Sequence, residues 1–481
     1  MTHVESVVVG HADEETPLLL SKKERRVRTP LPKLQIAILL LLQIGEPVAS
    51  QSIYPYINEL VGGLDIVGGD IRKVGYYAGL IESLFFATEA ITVLGWSRTS
   101  DKIGRKPVLM IGMIGTMLSM LFFGLSRTFT ALVVSRCLTG LLNGNIGVVK
   151  SAMGELTDST NRADAFALMP VAWGLGASLG PLIGGSLARP SDHFPAYFAS
   201  QFWKDFPYFL PCAITAAFVG GCVLATGIWF SESNAAVSQD EKKRPRSPSP
   251  SPPPSEHEDA AALPLRQLLI FPVVISILNY VTLAFLNISV NALLPLFFHM
   301  PLEMGGLDLE PGTIGYVMGA YGLGTGIFQI LFFAPLVRRF GVRKVFVMSV
   351  ATFAPIFMTF PLISLLAKQY GVTWYVWGLV GCIVFLLFLM DTAYGCVFMY
   401  ITSSAPNKRS LGATNGLSQT TVSIARAIGP ALATSLFSFS VEKNVLGGYG
   451  VYAVLATLSV GALLLAVQLP HRLWGEDDHE N

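Results

Sequence analysis

Windows of about 20 predominantly apolar residues, the length that crosses a bilayer core, recur along almost the whole chain. Twelve can be placed, at 34–57, 75–96, 107–125, 130–153, 165–187, 208–230, 269–298, 312–336, 345–366, 375–402, 412–437 and 449–469. A buried soluble core can account for one or two such windows, but not for twelve. The pattern predicts an all-α membrane protein with twelve transmembrane helices. Composition agrees, since only 14% of residues are charged against roughly 25% in an average soluble protein.

Charge placement sets the expected orientation. With the amino terminus inside, the cytosolic segments hold 23 Lys and Arg, the opposite side 7 and the spans 3. That asymmetry follows the positive-inside rule and predicts both termini in the cytosol. Residues 1–33 are polar, with no short apolar core and small-residue cleavage site, so no cleaved signal peptide is expected. The five cysteines (Cys137, Cys212, Cys222, Cys382, Cys396) all fall in hydrophobic segments without metal-ligand or disulfide spacing. They read as small packing residues, and no metal site is expected.

The expected organisation is an N-terminal tail (1–33), a six-helix bundle (34–230), a linker (231–264), a second six-helix bundle (265–470) and a C-terminal tail (471–481). The linker carries Lys242-Lys243-Arg244-Pro245-Arg246, then Ser-Pro pairs at Ser247, Ser249 and Ser251, then Glu256, Glu258 and Asp259. Proline-rich polar sequence of this kind cannot form a packed core. It reads as a cytosolic spacer, with the Ser-Pro pairs as candidate proline-directed phosphorylation sites. The two bundles echo each other. Asp101-Lys102-Ile103-Gly104-Arg105-Lys106 after the second window matches Arg338-Arg339-Phe340-Gly341-Val342-Arg343-Lys344 after the eighth. Gly180-Pro181 in the fifth matches Gly429-Pro430 in the eleventh. Six-helix repeats of this kind are how many transporters build alternating access around a midplane site.

The loop Gly95-Trp-Ser-Arg-Thr-Ser-Asp101-Lys-Ile-Gly104-Arg105-Lys106-Pro107 resembles the loop signature of the major facilitator superfamily, with Ser97 in place of the first glycine. Arg136-x3-Gly140 in the fourth window, followed by Asn143-Gly144, resembles the arginine motif that the family associates with proton coupling. Gly176-x3-Gly180-Pro181-x2-Gly184-Gly185 matches the antiporter signature of the drug:proton exchangers. Residues 45–56 look like a fungal subgroup of these antiporters, related to plant zinc-induced-facilitator-like carriers. The resemblance implies two pseudo-symmetric six-helix halves that rock about a central cavity. It also implies a latch role for Asp101, Gly104, Arg105 and Lys106, and exchange rather than symport from the glycine motif.

Glu46, Glu82, Glu89, Arg136, Lys150, Asp391 and Arg426 fall within the predicted spans. Ionisable groups inside a membrane are functional candidates by default. Low dielectric disfavours a charged carboxylate, so such a group can take up and release protons near neutral pH. Glu46, just before Pro47, is the first choice for proton coupling together with Arg136. Structural pairing is the competing role for Glu46, snorkelling from a shallow position the competing one for Arg136, and pairing is the favoured role for Glu82 and Glu89, which share a helix face. Asn287 and Asn291, with Asn279, form a polar stripe on the seventh window. Gln43, Gln51, Asn143, Gln329, Asn415 and Gln419 are further candidates for a substrate cavity, with helix–helix hydrogen bonding as the alternative.

The sequence holds no P-loop, nucleophile elbow or zinc-protease motif, so no enzyme activity and no cofactor are expected. The expected partners are a small-molecule substrate, protons and the lipid bilayer, with no nucleic acid, and the expected state is a monomer. The expected function is proton-coupled export of a small organic compound. Transport of a metal or metal chelate, or a sensor on the same scaffold, are the alternatives. Glu14-Glu15-Thr16-Pro17-Leu18-Leu19-Leu20 fits an acidic dileucine pattern, so a vacuolar or endosomal membrane stands beside the plasma membrane as the address.

Overall fold

The structure, a computed structural model, describes residues 29–157, 161–232, 265–406, 411–471 and 473–474. The dileucine pattern, the Ser-Pro pairs and the Asp101 side chain lie outside the described residues. Among the described residues, twelve principal helices run up and down. They are α1 (Lys33–Gln51), α2 (Val74–Ile103), α3 (Arg105–Gly124), α4 (Phe129–Glu155), α5 (Arg162–Ser186), α6 (Phe209–Trp229), α7 (Phe271–His299), α8 (Pro311–Phe340), α9 (Val342–Tyr370), α10 (Trp374–Ser404), α11 (Leu411–Glu442) and α12 (Gly450–Ala466). Eleven are long and apolar enough to cross a membrane. The twelfth has 17 residues, at the short limit for a span. The described residues contain no strand.

Each half repeats one plan. α1 packs on α5 and α3 on α6, as α7 packs on α11 and α9 on α12. The halves meet along two symmetry-related seams, α5 against α8 and α2 against α11. Outward-facing side chains such as Leu224, Ile228 and Leu464 are exposed and apolar, the surface that lipid requires.

Local sequence explains where helices depart from regularity. α4 breaks at Asn143–Gly144 between Phe129–Leu142 and Asn145–Glu155. The break leaves the Leu141 carbonyl to accept the Trp96 indole N–H at 2.7 Å. α8 contains a π-helical turn at Gln329–Phe333, the kind of local insertion that recurs at functional sites. The turns that join α2 to α3 and α8 to α9 are made by Gly104 (φ +103°) and Gly341 (φ +81°). Only glycine adopts that backbone without strain.

Both seams are closed at the end of the bundle away from the chain termini and separate towards the end that carries them. A β-carbon at Gly315 on α8 would lie 2.5 Å from the Pro181 carbonyl oxygen and 2.9 Å from the Gly185 Cα on α5. One at Gly174 would lie 3.6 Å from the Gly326 Cα, and one at Gly326 would meet nothing within 4 Å. On the other seam a β-carbon at Gly75 would lie 2.7 Å from the Thr434 carbonyl oxygen, whereas one at Gly416, on the same face of α11 as Thr434 but nearer the termini, would meet nothing within 4 Å. The halves therefore form a wedge that opens towards the end carrying the termini.

Candidate functional site

The break in α4 builds the centre of the N-terminal half. With its backbone off the helix, Asn143 turns its amide into the space between α1 and α2. Its Nδ2 donates to Glu46 Oε1 at 3.2 Å and to Glu89 Oε1 at 3.1 Å. One amide thus bridges two carboxylates. Arg426 of α11, from the other half, interacts electrostatically with both Glu46 and Glu89, and Lys150 of α4 interacts with Glu46. The two carboxylates face two cations, one of them across the α2–α11 seam.

A second N-terminal cluster lies closer to the closed end. Tyr54, in the turn after α1, donates its hydroxyl to Glu82 on α2. Arg136 of α4 is 2% exposed and lies in the field of Glu82, Tyr54 and Tyr56. Its guanidinium stacks over the Phe85 ring at 4.8 Å, a cation–π contact that offsets part of the cost of burying the charge. Full burial rules out snorkelling. Glu82 and Glu89 share a helix face, yet they serve different clusters.

In the C-terminal half the polar groups converge on Asp391 of α10. Its Oδ2 accepts from the Tyr321 hydroxyl at 2.8 Å and from Thr325 Oγ1 at 3.2 Å, both on α8. Its Oδ1 accepts a long 3.5 Å contact from Asn287 Nδ2 on α7. Asn287 Oδ1 in turn accepts from the Tyr394 hydroxyl at 3.0 Å and from Asn291 Nδ2 at 3.3 Å. Tyr394 and Tyr280 lie beside Arg426, and Gln419 Nε2 donates to the Tyr280 hydroxyl at 3.4 Å. A polar belt thus runs from Asp391 through Asn287, Tyr394 and Arg426 to Glu89, Asn143 and Glu46.

The remaining cavity candidates have other surroundings. Gln43 is buried on α1. Gln51 packs its β-carbon towards Gly180. Gln329 opens the π-helical turn of α8. Asn415 is exposed, and its backbone carbonyl accepts from Ser418 Oγ. Asn279 donates to the Ile275 carbonyl of its own helix at 2.9 Å. Glu46 and Arg136, paired in the sequence reading, occupy separate clusters. Asp391, Glu89, Lys150 and Arg426 were visible as charges within spans, but nothing in the sequence showed that one polar belt links them. The tyrosines that bind Asp391 gave no signal.

The antiporter-type glycines are wedged between two helices. β-carbons at Gly176, Gly180 and Gly184 would collide with the α1 backbone at Ile44, Val48 and Ser52. One at Gly185 would collide with Pro311 and Gly315 of α8. α8 answers with its own stripe, Gly315, Gly319, Gly322 and Gly326, and the Gly319 carbonyl accepts from Ser178 Oγ at 2.7 Å. Small residues on both sides let the backbones approach.

The loop residues also have defined contacts. Arg105 pairs with Glu155 at 2.8 Å. Glu232 accepts from the backbone N–H groups of Arg105 and Lys106 at 2.7 and 2.9 Å, placing a carboxylate at the start of α3 as the helix dipole favours. Lys106 Nζ donates to the Gly227 carbonyl at 2.8 Å. In the other half Arg343 donates to the Leu469 and Val467 carbonyls.

Two pseudo-symmetric six-helix halves, hinged on glycine seams around an intramembrane polar belt, define a polytopic membrane transporter. A family model described as Major Facilitator Superfamily matches residues 75–430 and 298–480, and the chain belongs to that superfamily. It is 30% identical to "Major facilitator-type transporter psiT2" of Psilocybe cyanescens over 92% of each chain. It is 28% identical to "Major facilitator superfamily multidrug transporter mfsB" of Aspergillus fumigatus, over 88% of this chain and 80% of the relative. It is 25% identical to "Protein ZINC INDUCED FACILITATOR 1" of Arabidopsis thaliana over 87% of each chain. The protein is an integral multi-pass membrane transporter of that superfamily.

Proposed function

We propose that the protein is a proton-coupled antiporter that exports a small organic compound by alternating access. The observation that carries this reading is the Glu46–Asn143–Glu89 bridge facing Arg426 across the seam. Two carboxylates that share one amide donor make a site for an exchangeable proton, and one of their two counter-charges, Arg426, belongs to the half that must move. Protonation weakens that attraction and so biases the two halves towards the alternate state. The multidrug relative and the antiporter-type glycine motif favour efflux by exchange.

In this reading both termini are cytosolic and the wedge opens inwards, in a plasma, vacuolar or endosomal membrane. The protein works as a monomer with substrate, protons and lipid as its partners. Asp101, Gly104, Arg105 and Lys106 form the conformational latch, with Arg136 supporting proton coupling from the Glu82 cluster.

The test is flux in proteoliposomes under an imposed pH gradient, screening cationic organics, secondary metabolites and zinc chelates. Solute movement should follow the gradient, and Glu46→Gln should abolish that dependence. Flux indifferent to the gradient excludes antiport, and intact coupling in the variant excludes Glu46 as a carrier.

A further inference from the structure

We propose that a buried water between Asn58 and Glu82 is the route by which Glu82 exchanges its proton with the solution on the closed side. The proposal adds a second proton-handling group to the transport reading above, and rests on that reading only for the use made of the proton. At the closed end of the α2–α11 seam a cavity of about 10 Å³ lies between the halves. One ordered water needs about that much room, with two to four polar partners. Tyr54, Asn58 and Glu82 line the cavity from the N-terminal half, and Pro295 of α7 and Thr434 of α11 line it from the other.

The polar atoms of this region are short of acceptors. Asn58 is 2% exposed, and its Nδ2 has no hydrogen-bond partner among the described residues. Nε and Nη1 of Arg136, which lies in the field of Glu82, are also without one. All three are N–H donors, and a buried donor left unpaired is costly. The cavity wall also offers oxygens that can take a water's own protons. The Glu82 carboxylate accepts from the Tyr54 hydroxyl and retains further lone pairs. Thr434 Oγ1 donates its proton to the Pro430 carbonyl at 2.8 Å, which leaves it an acceptor. A water in the cavity accepts from Asn58 Nδ2 and donates to Glu82 and to Thr434.

The place of the cavity decides which side this water serves. α2 bounds it on one face and α7 and α11 on the other, so parting of the halves at this end joins its water to the solution outside. The titratable and charged groups facing Glu82 are Tyr54 and Arg136 of its own half. The other half presents Ala292, Pro295 and Thr434, none of which titrates. The transfer is a relay of the kind that buried carboxylates support in membrane proteins. A hydronium on the closed side gives one proton to the bridging water, which passes one of its own to a Glu82 oxygen. The carboxylate becomes a neutral acid, the bridging water is regenerated, and the attraction between Glu82 and Arg136 is lost. Asn58 is a positioning residue in this step, because it holds the water and takes up no proton.

The test is infrared spectroscopy of the full-length purified protein, reading the carboxylic-acid C=O band that Glu82→Gln removes. The rate at which this band shifts after transfer to deuterium oxide measures exchange at Glu82 alone, without substrate or flux. Failure of the antiport reading is seen separately, as wild-type flux indifferent to a pH gradient. Asn58→Leu fills the cavity and removes the donor, so it should slow exchange at least about tenfold and move the band to higher frequency. Asn58→Ser keeps a donor and leaves room for the water, so it should restore most of the rate. A second measurement leaves the cavity intact. Tyr76 and Glu442 meet at 3.4 Å across the same seam. In the protein carrying Tyr76→Cys and Glu442→Cys, bridging the two thiols with a dimaleimide should slow exchange as much as Asn58→Leu does. Exchange unchanged by Asn58→Leu or by the bridge, equal slowing in Asn58→Ser and Asn58→Leu, or no protonated Glu82 at any pH at which the protein is folded overturns the proposal.

Discussion

The two seams that join the halves are symmetry equivalents built from different material. Along α5–α8 both faces carry small residues, with Leu182 of α5 seated over Gly319 of α8. Gly185 meets Gly315, and Gly322 meets the backbone of Ala177 and Ser178. At the closed end of α2–α11 only α2 contributes glycines. Gly75 and Gly79 receive Ser438 and Thr434, and Ser83 Oγ accepts from the Ala431 backbone N–H at 2.8 Å. About one and a half helical turns beyond that contact, the same seam reaches Glu89 and Arg426. One seam is a smooth bearing that depends on backbone approach. The other carries hydroxyls and charge, so it can respond to protonation. Two helices with the same place in the fold thus divide the work of moving and of sensing.

The largest effect expected from breaking this division is on the charged seam. Arg426→Gln should reduce gradient-driven flux by at least about tenfold, roughly 1.4 kcal/mol at the rate-determining step, while Arg426→Lys retains more. Comparable flux in both variants and the wild type would show that charge across α2–α11 is not used.

An intermediate effect is expected on the bearing. Gly315→Val forces side-chain atoms into the α5 backbone, and overpacking of this kind typically costs about 1–3 kcal/mol. It should lower the thermal midpoint and the flux together. Gly326→Val, where the seam is open, should leave the midpoint nearly unchanged and still lower the flux, because that end must close in the alternate state. Equal thermal destabilisation by both changes would contradict the wedge.

The smallest effect belongs to the turns that end α2 and α8. Glu232→Ala removes the acceptor for two N–H groups at the start of α3, a loss of capping worth about 0.5–2 kcal/mol. A drop of a few degrees in the thermal midpoint, with substrate binding retained, is the expected result. No change would remove Glu232 from the latch.

Much of this architecture was legible in the sequence, and its limits are specific. The glycines at 176, 180, 184 and 185 announced close packing, but not that three face α1 and the fourth faces α8. The matching stripe at Gly315, Gly319, Gly322 and Gly326 was equally visible, since its spacings of four and three residues mark one helix face, and it was overlooked. Asn143 was a plausible cavity residue from its place in the arginine motif. Its bridging role depends on a break in α4 whose direction no local pattern gives. Glu82 and Glu89 were assigned one face correctly. They part because Glu82 lies beside the turn after α1, where Tyr54 waits, while Glu89 lies beside the break in α4.

What the sequence determined by itself was the number and order of apolar spans and the two-fold repeat. The physical reason is that in lipid each helix must satisfy its own backbone, so span length and apolarity are written locally. The tertiary structure decided which intramembrane charges meet. It separated Arg136 from Glu46, placed Arg426 opposite Glu89, and brought Tyr321 to Asp391 across 70 positions of sequence. Those encounters depend on the rotation and crossing of whole helices about their axes, and those are set by packing along seams that no single span encodes.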